Sequence, residues 1–169
     1  DQPLALHIKT QMSGDEATTM RGRVAQGGDE FQQEYIRYYE SLFPELEVIQ
    51  KPAYVDRTGK NQIVIDERYR VADLWSTDEG GFTQTLWLEA DQIDDFAVPP
   101  KDQNRSDPYH QYHPITVQQK WVVEGLDESW SLPAEHEVVD NPYFRYEREV
   151  SFNSYRLEVT HRYQSKTDF

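Results

Sequence analysis

The 169-residue chain has no cysteine, which excludes disulfides, thiolate metal sites and any thiol nucleophile. It also lacks an apolar run near the roughly 20 residues that a bilayer-crossing helix needs, because Arg, Glu or Asp interrupts every hydrophobic stretch. Basic residues are few: 17 Lys and Arg stand against 31 Asp and Glu, a net charge of -14. Such a chain repels phosphate backbones and anionic lipid, so nucleic acid is excluded as a partner and membrane insertion by this segment is not expected. Gly-x-Ser-x-Gly is missing, and Gly27-Gly28 is followed by Asp29, whose charge opposes a phosphate. No cofactor is called for.

What remains is a folding sequence. Hydrophobic residues make up 37% and aromatics 13%, set in short alternating runs, which argues for one domain over 1–169 with at most two closely packed subregions, 1–99 and 100–169. Leu4, Leu6 and Ile8 alternate with His7 and Lys9; after Ser13-Gly14-Asp15-Glu16, Thr18, Met20 and Val24 read as the second arm of a hairpin. Asp29 is placed to cap a helix, with Gln32 closing a capping box, and Phe31, Tyr35, Tyr38 and Leu42 mark its apolar stripe to about residue 43, where Pro44 ends it. A hairpin follows, Val48 to Val55 and Ile63 to Val71 about the turn Asp56 to Asn61.

A strand from Phe82 to Leu88, one or two helical turns over Glu89 to Phe96, and a strand through Ile115, Val117, Trp121 and Val123 come next. Pro133 and Asn141-Pro142 mark turns before a closing hairpin, Phe144 to Phe152 against Tyr155 to Tyr163. Its alternation with Arg148, Arg156, Glu158 and Arg162 implies one buried and one wet face. The fold expected is mainly β, an antiparallel β-sandwich or two packed antiparallel sheets, with one main α-helix at about residues 29–43.

Candidate chemistry is sparse. His110 and His113 form an His-x-x-His pair that would hold a transition metal if His136 or Asp107 converged on it; a loop with Tyr109 and Tyr112 packing over a sheet edge is the plainer reading. Asp91, Asp94 and Asp95 raise the question of calcium but lack the glycine and alternating oxygens of a calcium loop, which favours a solvated acidic turn. Among Trp75, Trp87, Trp121 and Trp130, which suit a sugar-stacking platform, Trp87 and Trp121 lie in strand runs and are expected inside. The binding surface expected is Tyr109, His110, Tyr112, His113 and Trp130, aromatic and polar side chains on loops.

The order of landmarks also carries a resemblance. A Tyr-rich helix (Tyr35-Ile36-Arg37-Tyr38-Tyr39) runs into Phe43-Pro44, a hairpin carries Asp56 and Asn61, and Tyr69 and Trp75 follow. Arg105-Ser106-Asp107-Pro108, Tyr112-His113-Pro114, Trp121 and Trp130-Ser131-Leu132-Pro133 precede the final hairpin. Over nearly its whole length the chain thus resembles the β-rich C-terminal region of bacterial secreted transglutaminase-like proteins. The resemblance implies an accessory or interaction domain, exported with its parent and periplasmic or otherwise extracytoplasmic, whose partner is the adjacent domain or a protein or peptide substrate. It implies no catalytic residue here, since the core Cys, His and Asp have no counterpart. Asp1 and Phe169 then read as the ends of a piece cut from a longer protein. The alternative is a stand-alone glycan- or peptide-binding β-sandwich module.

Overall fold

A computed structural model of the chain describes residues 3–43, 45–72, 74–77, 84–97, 113–126, 130–153 and 155–167. Strand β1 (Leu4–Gly14) turns every second residue, Leu4, Leu6, Ile8, Thr10 and Met12, toward the core. It then passes directly into helix α1 (Asp15–Gln26). The expected hairpin arm is therefore helical. Ala17, Met20 and Val24, spaced three and four apart, form its buried stripe, and Asp15 and Glu16 put negative charge at the positive end of the helix dipole.

Gly14 makes the junction possible. Its φ is +74°, and a Cβ there would lie 2.1 Å from the Pro114 carbonyl oxygen. Helix α2 (Gly28–Leu42) confirms the main helix and buries Phe31, Tyr35, Ile36 and Tyr39. Its N-cap is Gly27 rather than Asp29, and no side chain caps it. The capping box does not form because Asp29 is already inside the helix, and Gln32 instead donates to the Pro52 carbonyl at 2.9 Å, tying the helix to the next strand.

Strands β2 (Glu47–Arg57) and β3 (Gln62–Val71) make the expected hairpin around a short 3-10 turn, Thr58–Lys60. Asn61 closes that turn at φ +43°, and its side-chain amide donates to the Gly14 carbonyl at 3.1 Å. Arg21 of α1 holds the same bend through Asp56 at 2.9 Å and Asn61 at 3.1 Å. After β3 come two short strands, β4 (Ser76–Thr77) and β5 (Gln84–Thr85), helix α3 (Asp91–Ala97), and strands β6 (Ile115–Glu124), β7 (Glu135–Asp140), β8 (Phe144–Asn153) and β9 (Arg156–Ser165).

The fold is mainly β, as expected. Seven antiparallel strands form one sheet in the order β2-β3-β1-β6-β9-β8-β7, and β4 and β5 pair separately. One point of architecture differs from a sandwich. The layer against the large sheet is mostly helical, with α1 on β1, β3 and β6, α2 on β2, and α3 on β6 and β9. Strand β7 lacks apolar alternation because all six of its residues are exposed at the sheet edge.

The register fixes which side chains share the helical face. Glu67, Ile8, Trp121, Val159 and Val150 lie in one row, and Thr10, Gln119, His161 and Arg148 in the next. Arg148 thus shares a face with Tyr146 and Val150, opposite Arg156, Glu158 and Arg162, and not the wet face with them. Its parity with Tyr146 dictates this, and Glu135 and Glu137 of β7 compensate its charge. The opposite face is the wet one, laced by Lys120–Glu158 at 2.7 Å, Arg156–Glu158 at 2.6 Å and Arg162–Glu149 at 3.1 Å.

Candidate ligand cleft

Between α2, α3 and the sheet, a cleft of about 540 Å³ is lined by Leu42, Phe43, Glu45, Leu74, Trp75, Thr85, Trp87, Glu89, Asp91 and Trp121. Its parts come from far apart in the chain. Trp121 forms the floor: it is buried, packs edge-on against Tyr39 at 5.7 Å, and donates its indole N–H to the Glu89 carbonyl at 3.0 Å. That bond ties the segment entering α3 to the centre of the sheet.

The segment itself alternates. Leu86, Leu88 and Ala90 pack on the core, which turns Trp87 and Glu89 outward, and Trp87 is 68% exposed. The expectation that Trp87 is buried therefore fails, whereas Trp121 is inside as expected. The long strand anticipated over Phe82 to Leu88 is a strand only at Gln84–Thr85, and Phe82 and Thr83 lie outside the described residues. An extended segment lying on a core still shows one side to solvent.

Trp75 forms a further wall and stacks on Trp130, centroids 4.3 Å apart and planes within 9°. Trp130 in turn lines a second cavity, about 320 Å³, over Leu157, Val159 and His161. At the opposite lip Glu45 sits at φ +65°, a left-handed conformation that a non-glycine residue holds only when its surroundings fix it.

Asp91 opens α3 and lines both this cleft and an adjoining cavity of about 420 Å³ with Arg23, Glu34, Tyr35, Tyr38, Glu89, Gln92 and Asp94. Burial holds the Asp91 carboxyl above the usual range, partly offset by the Tyr38 hydroxyl and the Gln119 amide. Its Oδ2 is buried without a hydrogen-bond partner among the described residues. The acidic segment is helical, as expected, yet Asp91 is half-buried rather than solvated, its carboxyl lying against the Tyr38 hydroxyl and the Gln119 amide. Arg23 is held by Glu34 at 2.7 Å.

Of the residues singled out from sequence, Tyr109, His110 and Tyr112 lie outside the described residues, as does Asp107. His113 precedes β6, half-buried, with its Nδ1 3.0 Å from the Ser165 hydroxyl, and it lines neither the cleft nor the Trp130 cavity. His136 lies on β7, 2.9 Å from Glu147. Among the described residues no three His, Asp or Glu side chains group as metal ligands. Of the two described members of the expected binding surface, Trp130 lines the second cavity and reaches the cleft only by stacking on Trp75, and His113 does neither.

Glu67 is a buried acid that sequence reasoning passed over. It stands between the apolar Ile65 and Tyr69 on the core-facing parity of β3, where a charge is out of place, and this was the available sign. The Tyr69 hydroxyl donates to its Oε2 at 2.6 Å, and burial pushes its carboxyl up to about 8. No protein-family model, curated protein or solved structure matches this chain.

Proposed function

We propose that the chain is a non-catalytic binding module that takes its ligand in the tryptophan cleft. The observation that carries this is the exposed Trp87 beside Trp75 and above Trp121, in a cavity that also gathers Glu45, Glu89 and Asp91. Clefts of a few hundred Å³ with aromatic walls and a few convergent polar groups are the usual form of a ligand site. Burying the Trp87 indole would remove a large apolar face from water, worth about 1–3 kcal/mol.

An accessory or interaction role within a transglutaminase-like, extracytoplasmic protein, positioning a protein or peptide substrate for a neighbouring core, accords with this reading. That setting rests on the sequence landmarks. A stand-alone module recognising glycan or peptide would use the same cleft.

Selection from a displayed random-peptide library and binding to a glycan array, each with the wild-type chain and with Trp87→Ala, test the reading. Ligands enriched on the wild type and lost with Trp87→Ala are expected. Ligands that bind both proteins equally would move the site elsewhere.

A further inference from the structure

Resting on that reading, we infer that the cleft is selective for a cation on an aliphatic stem, the ammonium or guanidinium of a lysine or arginine side chain in an extended peptide. Three features of the lining argue for it.

Among the described residues its charge has one sign: Glu45, Glu89 and Asp91 contribute carboxylates, no Lys or Arg lines the cleft, and Arg23 in the adjoining cavity is paired with Glu34. Carboxylates accept hydrogen bonds and do not donate them, whereas Lys and Arg donate and do not accept. Donor-only ligand and acceptor-only charge thus match, while a sugar hydroxyl, which needs both, finds less.

The second feature is the aromatic wall. Tryptophan faces attract cations through the ring quadrupole, more strongly when water is excluded, and their area also covers a methylene stem. Trp75 is braced from behind by Trp130, so its ring is held in place before a ligand arrives.

Third, Asp91 lines the cleft, and its Oδ2 is buried and makes no hydrogen bond among the described residues, although the Tyr38 hydroxyl and the Gln119 amide act on the same carboxyl. An acceptor kept from water without a donor is unfavourable, and an incoming N–H group removes that penalty.

A peptide with one charge separates this site from the diffuse pull of a chain carrying -14. The probe is acetyl-Gly-Gly-Lys-Gly-Gly-amide, followed by tryptophan fluorescence and chemical-shift titration at 0.15 M salt, with the Nε-acetylated peptide and cellohexaose as neutral comparisons. Saturable binding is expected that weakens about tenfold on lysine acetylation, and as much with Trp87→Ala or Asp91→Asn, while Asp29→Asn, an exposed acid outside the cleft, leaves it unchanged.

Equal binding of the acetylated peptide, or Trp87-dependent binding of cellohexaose alone, overturns the cation selectivity and leaves the cleft as the site. Equal weakening by Asp29→Asn overturns it in favour of nonspecific attraction. No saturable binding of the lysine peptide also overturns it, and the library and array selections then decide the binding reading separately.

Discussion

A single carboxyl group sets much of the expected response to pH. Glu67 is fully buried, and its folded-state value of about 8 lies above the ordinary 4.5, so the folded chain retains a proton that the unfolded chain gives up. The stability associated with Glu67 is complete below about pH 4.5, falls by about 1.4 kcal/mol per pH unit as the pH rises, and is fully lost above about pH 8. Glu67→Gln keeps the shape and a hydrogen-bonding oxygen without the charge. Urea unfolding at pH 5, 6.5 and 8 should show a steep loss for the wild type and a flatter line for Glu67→Gln, with the variant the more stable at pH 8. Parallel lines would mean that another group titrates. Asp91 shifts in the same direction through burial, so Asp91→Asn should add a smaller flattening.

The elements divide into those the pattern revealed and those it concealed. The β2–β3 and β8–β9 hairpins and α2 were legible because alternation, or a three-four spacing, coincided with turn residues at both ends. Helix α1 was hidden by its own composition: Thr18, Met20 and Val24 have even spacing and suit a strand, while the stripe that packs runs through Ala17 instead. Strand β7 was hidden because an edge strand exposed on both faces has no apolar period to read. The cleft was legible only in its ingredients. Trp75, Trp87, Trp121 and Asp91 all drew notice, but their meeting depends on pairings across the sheet that no local window contains. Glycines test the α1 assignment directly. Gly14→Ala forces a left-handed φ on alanine and a Cβ into the Pro114 carbonyl, and should cost about 2 kcal/mol or more. Gly22→Ala, inside α1 with nothing within 4 Å of the added carbon, should stabilise by up to about 1 kcal/mol. Thermal or urea unfolding of the two variants should give opposite signs, and a Gly22→Ala that destabilises would argue against the helix.

At the scale of the molecule, charge and topology dominate. A net -14 on 169 residues means that the compact state repels itself, and screening should relieve this. Raising salt from 0.01 to 0.5 M should increase the melting temperature by a few degrees, measured calorimetrically at fixed pH; a fall would show that the ion pairs of the wet face, such as Lys120–Glu158, outweigh the repulsion. Topology acts on time rather than on equilibrium. Strand β1 lies between β3 and β6, and its Ala5 is opposite Glu124, 119 residues further along the chain. Leaving a ribosome, β1 therefore waits with an open edge while β2 to β5 are made, and the sheet closes only after β6 arrives. The local pairs β2–β3, β7–β8 and β8–β9 form without that delay, so the interval in which the chain is most prone to aggregate is the synthesis of the stretch between β3 and β6.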